Sequence, residues 1–250
     1  MIHVGMSMEE YRNGVLKDYI SQSKLKACGA EDNVGFMNSW VGSVVHKFME
    51  IGMENLPKVY NEFVTDYNRA QFADQRLKAD RDIESKFVEC QKMAESLHMD
   101  MHHVKEIEDA YHDKKSMSEV SITFDYADLK MKCRPDLISA DMSVIVDWKT
   151  TSDIAEFERS VWKYLYDVQA FFYSRAVSEH SMGESPSFYF VCVDKNTYQT
   201  GVYKMSSGAL LTGNERLDKL IVKYKKHLAG VRETATENGV YTINIPRWMS

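Results

Sequence analysis

The chain is poor in the residues that interrupt or staple a fold. Its 250 residues include four prolines and 12 glycines, too few for a collagen-like or linker-dominated protein. No run approaches the roughly 20 apolar residues that span a bilayer, so no membrane partner is expected. The first residues, MIHVGMSMEEYRNG, lack a basic start followed by an apolar run and do not read as a secretory signal. Cys28, Cys90, Cys133 and Cys192 lie tens of residues apart without a CxxC. That spacing suits neither a zinc ribbon nor a dense disulfide framework; it points to reduced, mostly buried thiols in a cytoplasmic protein. Positive charge is also scarce. Lys and Arg total 31 against 37 Asp and Glu, a formal net charge of -6, which by itself argues against a nucleic-acid partner.

What remains has ordinary soluble composition, 44% hydrophobic and 27% charged, and a length that one domain accommodates. The acidity is local. Glu54 to Asp113 holds 14 acidic and eight basic side chains, which is the whole deficit of the chain. This stretch has helix formers and apolar residues at three- and four-residue steps, as in Phe87, Cys90, Met93 and Leu97, and reads as one or two amphipathic helices. A further helix precedes it in SWVGSVVHKFMEIGMENL, with Ser39 as a candidate N-cap. From Ser116 the texture becomes β-branched and alternating: SEVSITFDY, ADLKMKCRPDLIS and SVIVDWKT read as strands. One long helix from about Asp153 to Glu179, strands in SFYFVCV and YQTGVYKM, and a helix from about Gly213 to Gly230 follow. The expected architecture is a single α/β domain over 1–250. Residues 1–115 are mostly helical, 116–205 form the α/β core, and 206–250 are a basic C-terminal helix and tail.

The chemistry concentrates in CRPDLISADMSVIVDWK, Cys133 to Lys149. Side chains alternate along a strand, so Asp147 and Lys149 share a face and Trp148 takes the other. A hairpin around Ser139-Ala140-Asp141 would set Asp136 beside Asp147. Two carboxylates converging near a lysine suit a hard divalent cation, which takes one or two carboxylates, water and phosphate oxygens. The lysine can hold a water or offset charge developing on phosphorus oxygens. Taken alone, Asp147 and Lys149 would more commonly be a solvated pair; the upstream Pro135-Asp136 between β-branched strands favours the catalytic reading. In YDVQAFFYSRAV, Gln169 and Tyr173 stand one turn apart on one helical face; alone they would more commonly be an amphipathic boundary pair.

RPD, then VDWKTT, then a helix bearing VQAFFYS closely resembles the RecE-type (exonuclease VIII) branch of the PD-(D/E)xK nucleases. These are phage and prophage recombination exodeoxyribonucleases, more distantly similar to lambda exonuclease and the RecB nuclease domain. Gln169 and Tyr173 match the family's Q-x-x-x-Y, and Gly42 and His46 match its upstream G-x-x-x-H. Glu119 matches its glutamate on the first core strand, and Ser21, Leu25 and Lys26 match its opening Ser-x-x-x-Leu-Lys. The resemblance covers about Tyr19 to Tyr173.

It implies a restriction-endonuclease-like core, a mixed central sheet flanked by helices, with a helical N-terminal part. It implies that His46, Asp136, Asp147 and the Trp148 backbone carbonyl ligate Mg²⁺, with Mn²⁺ as a substitute and two ions in the site. Glu119 would join them directly or through water. Lys149 would activate the attacking water, and Gln169 and Tyr173 would hold the scissile phosphate or the 5′ end. The implied activity is 5′-to-3′ resection of linear double-stranded DNA, leaving 3′ single strands. A ring-shaped homo-oligomer (trimer or tetramer), a single-strand annealing partner of the RecT class and a cytoplasmic bacterial setting come with it. A Cas4- or AddB-like nuclease with a four-cysteine iron–sulfur cluster is disfavoured by the scattered cysteines. A non-catalytic DNA-binding module is disfavoured by the intact Asp136, Asp147 and Lys149 set.

Two further features stand apart. His98, His102 and His103 form an H-x₃-H-H pattern without the glutamate of HExxH, and read as a helix face rather than a zinc site. In NERLDKLIVKYKKHLAGVRE, Asp218 is the only acid from Arg216 to Arg232. Lys219, Lys223 and Lys226 there are candidates for DNA phosphates, or for a solubilising outer face. The charge division then expected is an acidic outer helical layer and a basic channel.

Overall fold

The structure, a computed structural model, describes residues 1–27, 36–73, 83–181 and 185–231, without the side chains of 36–39 and 65–73. Cys28, Arg232 and the C-terminal tail lie outside the described residues, as do the side chain of Ser39 and part of the acidic stretch.

The elements in chain order are β1 (Ile2–His3), α1 (Met8–Asn13), α2 (Gln22–Ala27), α3 (Phe36–Ile51), α4 (Leu56–Ala73), α5 (Ile83–Met101) and α6 (Lys105–His112). They continue with β2 (Met117–Ser118), β3 (Ser121–Tyr126), β4 (Leu129–Cys133), β5 (Leu137–Ile138) and β6 (Val144–Thr151). The last are α7 (Phe157–Lys163), α8 (Tyr166–Ser178), β7 (Ser187–Asp194), β8 (Thr200–Lys204) and α9 (Ser207–Leu228). A five-stranded sheet has the order β2-β5-β6-β7-β8, and a three-stranded sheet the order β1-β3-β4. Among the described strands, β6 and β7 are the one parallel pair, as a helical crossover through α7 and α8 requires. The expectation of a mixed sheet flanked by helices holds.

The central strands are covered on both faces, which explains their near-continuous hydrophobic runs. Val144, Val146 and Trp148 of β6 and Tyr189, Val191 and Val193 of β7 pack with α3, α5 and α6. Ile145 and, from β7, Phe188, Phe190 and Cys192 pack with α8, α9, β3 and β4. The acidic α5 and α6 therefore cover the Trp148 face, while Asp147 and Lys149 project from the other. Cys90, Cys133 and Cys192 are free and buried.

Three readings change. The segment SEVSITFDY is not one strand: Glu119 has φ +51° and breaks it into β2 and β3, which belong to different sheets. The helix containing GxxxH begins at Phe36, so Ser39 lies inside it rather than capping it. The long helix from Asp153 to Glu179 is two helices, separated by Leu165 at φ +57°. Apolar periodicity cannot reveal this break, because no glycine or proline marks it. Tertiary donors hold it instead. Lys26 Nζ reaches the Tyr164 carbonyl at 2.5 Å, and Gln22 Nε2 the Leu165 carbonyl at 3.2 Å.

Candidate active site

The β5–β6 hairpin sets the register of the site. Leu137 pairs with Val146 and Ile138 with Ile145, so the next position places Asp136 opposite Asp147. The turn is held by Asp141, whose Oδ1 accepts from Ser139 Oγ at 2.6 Å and from Ser143 N and Oγ at 3.0 and 2.7 Å. These hydrogen bonds hold the Asp141 carboxyl down at about 2.

Asp136 immediately precedes β5 and is buried. Its Oδ2 accepts from the Trp148 backbone N–H at 2.8 Å and stands 3.4 Å from His46 Nδ1. The N–H and C=O of a strand residue point to the same side, so the Trp148 carbonyl also faces the gap beside Asp136. Burial opposes the charge on Asp136, but the His46 imidazolium and the Trp148 N–H outweigh it and hold the carboxyl below its usual range. Burial likewise opposes a charged His46, and the Asp136 carboxylate overcomes it, raising the imidazole to about 9. His46 arrives from α3, which crosses β6 at Gly42. A Cβ at Gly42 would meet only Thr150 Oγ1, at 3.7 Å, so packing alone does not require a glycine there.

Glu119 is placed by its own left-handed backbone, a conformation that a bulky residue keeps only when its surroundings impose it. Its N–H donates to the Asp136 carbonyl at 3.0 Å. Its carboxylate accepts from Arg134 Nε at 2.8 Å, and Arg134 also donates to the Met6 carbonyl and Ser121 Oγ. Burial and the Asp136 charge, against Arg134, raise Glu119 to about 7. One ligand atom each from His46, Glu119 and Asp136 lies within 4.8 Å of the others.

Asp147 is 1% exposed, so both its oxygens must be satisfied within the protein. Oδ2 pairs with Lys149 Nζ and Oδ1 accepts from Gln169 Nε2 at 2.7 Å. Burial, with Asp136, raises Asp147 to about 6, against the pull of Lys149. Burial would lower Lys149, but Asp147 more than offsets it, and the ammonium stays protonated far into alkaline pH. Lys149 Nζ also sits 4.9 Å from the Tyr166 ring centroid and 5.6 Å from that of Phe190, attractive contacts for a cation. Tyr173 is half-buried one turn after Gln169, with its ring 6.5 Å from Phe188. Burial pushes its hydroxyl well up, and the Asp147 and Asp136 charges add to that.

Thus His46, Glu119, Asp136, Asp147, Lys149, Gln169 and Tyr173, from α3, the β2–β3 connection, β5, β6 and α8, gather at one end of the sheet. Several carboxylates and one imidazole fit a hard divalent cation such as Mg²⁺ or Mn²⁺. The nearby cations, His46 and Lys149, hold the mutual repulsion of the carboxylates in check without one. Two neighbours, Arg134 and Tyr166, were not singled out from the sequence. The signals existed: Arg134 directly precedes Pro135-Asp136, and Tyr166 is three residues before Gln169, on its face.

The α9 lysines are a separate region. Lys219, Lys223 and Lys226 border a surface hollow of about 560 Å³ with Glu215, Asp218 and Val222. No hydrogen bond or ion pair among the described residues joins Lys219 or Lys223 to the carboxylates. Arg216, on the same helix, is committed elsewhere: its guanidinium pairs with the buried Asp167 at 2.7 Å and donates to the Trp162 carbonyl.

The sequence profile of the PDDEXK-like domain of unknown function (DUF3799) matches residues 25–240. The chain belongs to this family. A crystal structure from Eubacterium rectale, described as a "Putative exonuclease", superposes with a TM-score of 0.68 at 18% identity, covering 98% of this chain and 97% of that one. At that identity the likeness concerns the fold, which is that of the PD-(D/E)xK nucleases. A crystal structure of SSO0001 aligns over 85% of this chain and 87% of its own, at 12% identity, with a TM-score of 0.34, too low to bear on the fold. No curated protein matches the chain in sequence. The family supports the superfamily named from the motifs; the RecE-type branch is a finer assignment.

Proposed function

We propose that this PDDEXK-like protein is a metal-dependent exodeoxyribonuclease of the RecE type that resects linear double-stranded DNA from 5′ ends, leaving 3′ single-stranded tails. The observation that carries this reading is the convergence of Asp136, Asp147 and Lys149 with His46, Glu119 and Gln169 at one sheet end. Mg²⁺, with Mn²⁺ as a substitute, would be held by His46, Asp136, Asp147, Glu119 and the Trp148 carbonyl, and would supply charge neutralisation and polarisation of the phosphodiester. Two ions follow from the resemblance.

The protein's own groups divide the remaining work. Lys149, protonated and braced by Tyr166, orients the attacking water and offsets charge developing on the phosphorus oxygens; it does not accept the water's proton. Gln169 steadies Asp147 through Oδ1 while Lys149 holds Oδ2, so a metal bound by Asp147 would share that carboxylate with the lysine. Tyr173 stays a neutral phenol that can donate to a phosphate oxygen. The α9 lysines are the proposed contact to the DNA backbone beyond the reacting phosphate. A trimeric or tetrameric ring, a RecT-class annealing partner and a cytoplasmic location complete the proposal and rest on the resemblance alone. The described cysteines do not gather for an iron–sulfur cluster: Cys90 packs in the core on one face of the sheet, Cys133 and Cys192 in the core on the other.

The test uses linear duplex labelled at either end, and a closed circle, each with Mg²⁺. The proposal expects release of 5′-end nucleotides from linear DNA and an intact circle. Cutting of the circle would replace it with an endonuclease reading. No cleavage with Mg²⁺ or Mn²⁺ would remove both.

A further inference from the structure

On the Trp148 side of the sheet, where α5 meets α6, four potential ligands converge that the nuclease reading does not use. His98 and His102 are one helical turn apart on α5 and the turn after it; Glu108 and His112 are one turn apart on α6. The His102 and His112 rings stack with centroids 5.6 Å apart, and His98 lies 5.1 Å from His102 and 6.1 Å from His112. His102 Nδ1 is 2.9 Å from Glu108 Oε1. One ligand atom each of His102, Glu108 and His112 lies within 4.8 Å of the others. A second observation concerns His98. Its Nδ1 is enclosed by protein yet has no hydrogen-bond partner among the described residues, an arrangement that native structures rarely leave unexplained.

We propose that His102, Glu108 and His112, with His98 as a fourth ligand, form a second metal site that takes a transition-metal dication of the zinc class. The donor set selects that class. Imidazole nitrogens suit Zn²⁺, Ni²⁺ and Cu²⁺, whereas Mg²⁺ and Ca²⁺ require oxygen ligands. Bonds of about 2.0–2.1 Å in a tetrahedral zinc centre place ligand atoms roughly 3.3 Å apart, so the His102, Glu108 and His112 atoms, now within 4.8 Å of one another, and His98 beside them would have to close on the ion. The backbone favours it too, because His102 follows the C-terminal end of α5 and His112 ends α6, where the helix dipoles favour a cation. His103 is not part of the site: its side chain is 81% exposed and turns toward Asp100.

The metal would clip α5 to α6. That corner backs the nuclease site, since the Tyr111 ring lies 5.6 Å from His98 and 6.2 Å from Trp148, whose N–H holds Asp136.

The test is zinc titration of chelator-stripped full-length protein, by calorimetry and by Co²⁺ substitution. It compares the wild type in saturating Mg²⁺ with Asp136→Ala/Asp147→Ala, which disables the carboxylate centre. Both should bind a zinc ion, show the visible d–d bands of four-coordinate Co²⁺, and gain thermal stability on zinc addition. Adding His102→Gln and His112→Gln, both at exposed positions, should abolish the binding, the bands and the thermal shift, with unchanged circular dichroism. Zinc binding that survives the histidine substitutions, or that is absent from wild type and carboxylate variant alike, would overturn the proposal. The readouts do not involve DNA, so the nuclease reading and this one fail separately.

Discussion

The two metal-capable clusters of this protein are built in opposite ways. The carboxylate centre draws His46, Glu119, Asp136 and Asp147 from segments that span about a hundred residues of sequence, and only the folded sheet brings them together. The histidine corner comes from one helix–turn–helix, His98 to His112, whose parts meet through local geometry. Their chemistry differs as well. The first is oxygen-rich, partly enclosed, and held by the Lys149 and Arg134 cations; the second is nitrogen-rich and largely exposed. A centre that needs the whole fold suits catalysis, where charge and orientation must be preset. A centre made within one hairpin suits a local clip.

Substitutions should separate the two, beginning with the largest effect. Lys149→Met removes the ammonium and leaves the buried Asp147 with Gln169 but without its cation. We expect Mg²⁺-dependent cleavage to fall ~10²-fold or more, with zinc binding at the histidine corner unchanged in calorimetry. Gln169→Ala removes one charge-assisted hydrogen bond to Asp147, worth about 1.5–3 kcal/mol, so cleavage should fall about tenfold or more in a steady-state assay.

Gly213→Ala acts on the fold. A Cβ there would stand 2.3 Å from the Asp167 carbonyl oxygen, pushing α9 off α8; we expect a loss of about 1–3 kcal/mol in denaturant unfolding. Zinc affinity should be unaffected, because α8 and α9 lie across the sheet from α5 and α6.

The smallest effect is pH-dependent. Asp141 has its carboxyl lowered from 3.8 to about 2 by the Ser139 and Ser143 hydrogen bonds. A lowered carboxyl contributes stability above its unfolded value and loses it as pH falls through the folded one. The Tm gap between wild type and Asp141→Ala should therefore be full above pH 4 and shrink toward pH 2. A gap that widened in acid would contradict the role given to this turn.

Much of the carboxylate centre was legible because strand alternation and hairpin pairing are short-range rules. Asp147 and Lys149 share a face, and Asp136 falls opposite Asp147, as the spacing in CRPDLISADMSVIVDWK requires. The breaks at Glu119 and Leu165 were not legible. Both are non-glycine residues in the left-handed region, held there by partners distant in sequence: the Asp136 carbonyl for Glu119, and Gln22 for Leu165. The Arg216 pairing was equally illegible, because its partner Asp167 is buried and distant in sequence. The histidine corner was half-visible, since H-x₃-H-H displays His98 and His102. Only the packing of α6 back on α5 supplies Glu108 and His112 and turns His103 away.

We propose that Asp136, Asp147 and Lys149 form a metal-dependent centre for DNA hydrolysis. The most direct measurement is Mg²⁺-dependent release of nucleotides from linear duplex by wild type and by Asp147→Ala, with circular dichroism confirming that the variant is folded. We predict that cleavage by the variant falls at least ~10³-fold, the loss of about 4 kcal/mol of transition-state stabilisation. A folded Asp147→Ala that cleaved at close to the wild-type rate would contradict it.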